Sequence, residues 1–86
     1  MAVNLEEAFR LVQEEICYAE DKHGKEPFHS DDVWLRILVE EVGECARDIH
    51  EGKSINTLLH EVVQVAAVAV RYAGELTYKI RNGRDN

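Results

Sequence analysis

Residues 38–48, LVEEVGECARD, mix Glu40, Glu41, Glu44 and Asp48 with Leu38, Val39, Val42, Cys45 and Ala46. The apolar positions recur at helical spacing, so the stretch belongs to a helix and the question is where its acids point. On an ideal wheel of about 100° per residue, Leu35, Leu38, Val39, Val42, Ala46 and Ile49 fall together and form the main core stripe. Arg36, Gly43, Arg47 and His50 fall on the polar side. Glu41, Glu44 and Asp48 fall between, on the flank that also carries Val33, Trp34 and Ile37, while Glu40 sits nearer the solvent side. Most acidic runs are solvated faces. Carboxylates beside Trp34 and Ile37 argue against that here, because burying them is costly unless a cation or a donor neutralises them.

The rest of the chain has the same periodicity. A first helix is expected from about Leu5 to Asp21, with Asn4 as N-cap, Glu7 at capping-box spacing, and a stripe of Leu5, Ala8, Phe9, Val12, Ile16 and Ala19. Gly24 and Pro27 end it. The second helix starts after Ser30, with Asp31 and Asp32 in its first turn, and ends near Gly52. The third starts near Ser54 or Asn56 and runs to about Ile80, with Gly83 beyond it. No segment alternates with period two. The expectation is therefore an all-α, three-helix chain of 86 residues forming one domain, its last two helices a long hairpin.

The third helix is more apolar than one hairpin partner requires. From Val62 to Val70 only Gln64 is polar, and the polar stripe is narrow: His60, Glu61, Gln64, Arg71, Glu75 and Lys79. That surplus predicts helix packing between subunits. The run is too short to span a bilayer, so no membrane partner is expected. A net charge of −7 disfavours nucleic-acid binding. The two cysteines, Cys17 and Cys45, lie in apolar helical patterns without a C-x-x-C, and read as reduced core thiols of a cytoplasmic protein.

Glu61 and Gln64 are three apart and point the same way on their helix. In an antiparallel hairpin turning at about residues 52–56, they lie opposite Glu44 and Glu41. Three carboxylates and one amide oxygen then converge, a set suited to a hard cation such as Mg²⁺. His23, His29, His50 and His60 share no ligand spacing and read as surface residues.

These motifs carry a resemblance. EEVGE, with Glu40, Glu41 and Glu44, matches the E-E-x-x-E motif of the MazG-like all-α nucleoside triphosphate pyrophosphohydrolases. EVVQ, residues 61–64, stands where that family has E-x-x-D, with sixteen residues separating Glu44 from Glu61. The resemblance covers roughly residues 22–76 and extends to the small MazG-like proteins of phages and mobile elements. It implies hydrolysis of a nucleoside triphosphate between the α and β phosphates, to a monophosphate and pyrophosphate, with Mg²⁺ or Mn²⁺. It also implies homodimers or dimers of dimers with four-helix-bundle cores. Glu41, Glu44 and Glu61 become metal ligands by position, and Glu40 a ligand or an orienter of the attacking water. Gln64 departs from the pattern by replacing the motif's Asp. Its amide oxygen can still ligate Mg²⁺, but it brings no charge and cannot act as a base. Either fewer carboxylates suffice, with Asp48 recruited, or the site binds nucleotide without efficient turnover. The same position also suits a hydrogen-bonded residue that fixes helix register.

The candidate substrate-side residues are Trp34, Lys22, Arg71 and Asp48. Trp34 can stack on a base, although its apolar neighbours favour a core role. Arg71 can meet phosphates, with a salt bridge to Glu75 as the plainer alternative. Lys22, His23 and Lys25 flank Gly24 in an expected loop and can contact a triphosphate, with plain surface solvation as the alternative.

Overall fold

A computed structural model describes residues 3–24 and 29–83. Three helices make up the described chain: α1 (Leu5–His23), α2 (Asp31–His50) and α3 (Ile55–Arg81). Each begins at a side-chain cap. Asn4 Oδ1 accepts from the Glu7 amide at 3.2 Å, Ser30 Oγ from Val33 at 3.3 Å, and Ser54 Oγ from Thr57 at 3.2 Å. Gly24 at φ 81° and Gly52 at φ 73° take the left-handed backbone that glycine adopts without a Cβ clash. The Gly24 amide donates to Glu20 O at 2.7 Å and closes α1. That helix runs two residues past Asp21, so Lys22 and His23 occupy its last turn rather than a loop, where basic groups suit the helix dipole. Lys25 and Pro27 lie outside the described residues.

The order of contacts sets the topology. Asp31 and Trp34 at the start of α2 meet Tyr72 and Glu75 late in α3, and Glu41 further along α2 meets Gln64 earlier in α3, so α2 and α3 are antiparallel, as the hairpin requires. Both α1 and α2 pack on α3, and they do not pack closely on each other. α3 is therefore the floor of a groove whose walls are α1 and α2.

The core is slight. Among the described residues the buried apolar side chains are Trp34, Val63 and Ala67, and α1 contributes none. Ala8, Val12, Ile16 and Ala19 of its stripe are half-buried, whereas Leu5 and Phe9 are exposed, as is Cys17. Cys17 is thus not the core thiol its apolar surroundings suggest, while Cys45 is half-buried.

The larger difference from the sequence expectation is on α2. The face that meets α3 is the mixed flank bearing Trp34, Ile37, Glu41 and Asp48. The stripe expected to be the main core is turned outward: Leu35 is 57% exposed, Val39 59%, Val42 48% and Ile49 59%. α3 likewise leaves Ile55, Leu59, Val62, Val70, Leu76 and Ile80 exposed. The reason is local. Trp34 is the largest apolar group on the mixed flank and finds a donor-to-carboxylate bond across the hairpin, so that flank turns inward. No helix among the described residues is long and apolar enough to cross a membrane.

Candidate metal centre and adjoining groove

Midway along the hairpin the acidic flank of α2 faces the polar stripe of α3. Glu41, Glu44 and Glu61 each offer a carboxylate oxygen, and these oxygens lie within 4.8 Å of one another. The expected opposition of Glu61 and Gln64 to Glu44 and Glu41 is thus present. Asp48, buried at 9% exposure, lies one turn beyond Glu44 and shares a hydrogen bond with Glu61. Glu40 is exposed at the rim.

The electrostatics follow from crowding. Burial is the first cause raising the Glu41 carboxyl above its ordinary value, followed by the charges of Glu44, Glu15 and Glu40, with His60 acting the other way. For Glu61 the first cause is the hydrogen bond with Asp48, followed by burial and the charges of Asp48, Glu44 and Glu41. Glu15 comes from α1 and was not singled out by the motifs. Its place beside Val12 and Ile16 at the edge of the apolar stripe is the sequence signal for it, and the structure makes it half-buried.

Gln64 sits among these acids. With its amide nitrogen inward it donates to Glu61 Oε1 at 3.0 Å and Glu41 Oε1 at 3.3 Å, while its oxygen accepts from His60 Nε2 at 3.3 Å. Turned over, the same amide places a fourth oxygen among the carboxylates, an arrangement that needs a cation to hold it. All-oxygen donors at this spacing fit Mg²⁺ or Mn²⁺ rather than a thiolate-seeking or imidazole-seeking ion.

The centre opens into the groove over α3. One part, about 550 Å³, is lined by Glu41 and Gln64 at one end and by Lys22, His23, His29 and Arg71 at the other. A second cavity, of about 440 Å³, shares His23, His29 and Arg71 with it and is lined further by Ile16, Glu20, Trp34, Val70, Gly74 and Tyr78 among others. The groove therefore runs from acids, past Lys22 and Arg71, to a largely apolar recess.

Three of the expected substrate-side residues, Lys22, Arg71 and Trp34, line this groove, but not as free groups. The Lys22 ammonium lies 5.9 Å from the Tyr18 ring centre, and the Arg71 guanidinium 5.5 Å from that of Trp34. Trp34 is 4% exposed, stacks on Tyr72 at 5.6 Å and meets His29 edge-on at 4.8 Å. Its core role prevails. The salt bridge considered for Arg71 goes elsewhere, since Glu75 pairs with Lys79 at 3.1 Å.

Glu75 is the residue sequence reasoning placed only in the polar stripe. It is 5% exposed and accepts from Trp34 Nε1 at 3.0 Å and the His29 amide at 3.2 Å. Burial alone would raise its carboxyl, but Trp34, Lys79 and the His29 amide outweigh burial and hold it below its ordinary value.

No protein-family model, characterised protein or solved structure matches this chain.

Proposed function

We propose that this chain is a divalent-cation-dependent nucleoside triphosphate pyrophosphohydrolase, cytoplasmic and active as a homo-oligomer. The observation that carries the reading is the convergence of Glu41, Glu44 and Glu61 within 4.8 Å at the head of a groove lined further on by Lys22, His23, His29 and Arg71. The motif pair EEVGE and EVVQ supplies the reaction class by resemblance.

Glu41, Glu44 and Glu61 would hold Mg²⁺ or Mn²⁺, with the Gln64 oxygen as a neutral fourth donor. The cation would neutralise charge developing on the phosphates and acidify a water molecule. The chain's own groups do the rest. Lys22, His23 and Arg71 bind the polyphosphate and orient it along the groove. Glu40, at the exposed rim, orients the attacking water and accepts its proton. Asp48, buried beside Glu61, adds a further carboxyl to the cluster. Trp34 forms part of the apolar recess wall.

The outward stripes of α2 and α3 fit the oligomer. Leu35, Val39, Val42 and Ile49 are too apolar and too continuous for a solvated face, and a second hairpin laid on them would complete a four-helix bundle. Val39→Glu should therefore dissociate the oligomer in analytical ultracentrifugation, and an unchanged sedimentation coefficient would remove that part of the reading.

One observation favours a second reading, a non-catalytic nucleotide- or protein-binding module. With its nitrogen inward, Gln64 bridges Glu41 and Glu61 and closes the cluster without a cation. Pyrophosphate release from a panel of ribo- and deoxyribonucleoside triphosphates with Mg²⁺ or Mn²⁺ decides between them. Release that is lost in Glu41→Gln supports the hydrolase. No release from folded wild type, with activity gained in Gln64→Asp, supports the module.

A further inference from the structure

The recess at the far end of the groove is lined by two carboxylates, and the described chain satisfies only one of them. Glu75 meets Trp34 Nε1 at 3.0 Å, the His29 amide at 3.2 Å and the Lys79 ammonium at 3.1 Å. Glu20, half-buried on the α1 wall, meets no donor with its side chain among the described residues. A carboxylate drawn into a largely apolar recess without a donor is costly, so the place suits N–H groups brought by a ligand. His23 lies one turn on from Glu20 and lines the same recess, which puts a hydrogen-bond donor beside the acceptor. At about 440 Å³ the recess is within the size range of small-molecule sites, and Ile16 and Val70 offer apolar surface to the faces of a ring.

We propose that this recess takes the base of the nucleotide and that Glu20 selects guanine, by accepting hydrogen bonds from its N1–H and 2-amino groups. This rests on the nucleotide reading above and names its substrate. Among the common bases only guanine carries two neighbouring N–H donor groups on its pairing edge. A carboxylate only accepts, and its two oxygens meet both groups. The guanine O6 next to them is an acceptor, and His23 is the donor alongside. Adenine and cytosine offer one amino group beside an acceptor ring nitrogen. Uracil offers one N–H flanked by two oxygens, which repel the second carboxylate oxygen. Arg71 lines both cavities, so a base in the recess leaves its phosphates on the side of the acids. Gly74 lines the recess from α3, and no atom beyond its own stretch of helix lies within 4 Å of a Cβ placed there. A bulkier side chain at position 74 would therefore fill the recess without a clash in the fold.

The test is titration calorimetry, in Mg²⁺, with the α,β-methylene analogues of guanosine, inosine and uridine triphosphate, which cannot be cut at that bridge. Wild type should bind the guanosine analogue about tenfold more tightly than the uridine one, the lower part of the range for a two-bond contact to a base edge, because Glu20 is only half-buried and water competes. Inosine lacks the 2-amino group and should fall between. Glu20→Gln exchanges one acceptor oxygen for an NH₂, which faces a guanine donor but suits a uracil oxygen, so the preference should shrink to within about twofold. Gly74→Leu should weaken all three analogues and leave Mg²⁺ affinity as in wild type. Melting curves of each variant check folding. Equal affinity of wild type for the three analogues overturns the inference and leaves the nucleotide reading intact. A guanosine preference that persists in Glu20→Gln, or analogue binding untouched by Gly74→Leu, also overturns it. Folded wild type that binds none of the analogues overturns the nucleotide reading and this inference together.

Discussion

Glu75 and Glu61 are both carboxylates of α3 that meet α2, and their surroundings are opposite in kind. Glu75 is ringed by donors: the Trp34 indole, the His29 amide and the Lys79 ammonium. Glu61 is ringed by acids, namely Asp48, Glu44 and Glu41, with one neutral amide. The carboxyl of Glu75 is accordingly held below its ordinary value and that of Glu61 above it. A buried carboxylate that the chain itself neutralises is a structural device. A cluster that the chain leaves unneutralised puts the task on protons or on a cation from outside.

The comparison breaks most visibly in stability. Glu75→Leu should cost about 3–5 kcal/mol, because it strands a mostly buried ammonium together with an indole and an amide donor. Glu61→Gln should do the reverse and raise the urea midpoint of the metal-free protein, since it removes a repelled charge. If both substitutions destabilise alike, the two sites do not differ as described.

A subtler version removes only one donor. Trp34→Phe keeps most of the ring but takes away the N–H bonded to Glu75 Oε1, and should cost about 1–3 kcal/mol in urea unfolding. A neutral outcome would mean that the His29 amide and Lys79 suffice.

The pH dependence has two signs. Glu41 and Glu61 have folded values above 4.5, so the folded chain takes up protons before the unfolded one. Metal-free stability should therefore rise as pH falls through those raised values towards 4.5. Glu75 has a folded value below 4.5, so its contribution is complete above that pH and is lost as pH falls through the lowered value. Stability of the apo protein should pass through a maximum on the acid side of neutrality, and Mg²⁺ should flatten its rising limb. A monotonic fall from neutral pH, with or without Mg²⁺, would contradict the crowding of the cluster.

The sequence made one of these sites legible and hid the other. The opposition of Glu44 and Glu41 to Glu61 and Gln64 follows from a hairpin turn at Gly52 and helical spacing, both local properties. The caps at Asn4, Ser30 and Ser54 were readable for the same reason. Glu75 was not, because its partners lie 41 and 46 residues away and depend on how far α3 extends past the start of α2. The outward turn of Leu35, Val39, Val42 and Ile49 was hidden too. A wheel says which residues share a face, not which face a neighbour takes, and the bond from Trp34 to Glu75 draws the mixed flank inward. His60 was set aside for want of ligand spacing, yet its contact is with an amide rather than with a metal.

Thermal melting with and without Mg²⁺, at matched ionic strength, tests the central claim most directly. The account predicts a higher melting temperature with Mg²⁺ for wild type and for Trp34→Phe, and no gain for Glu41→Gln or Glu61→Gln. A wild type unmoved by Mg²⁺, or the same gain in all four proteins, would contradict it and return the acids of residues 38–48 to the status of a solvated edge.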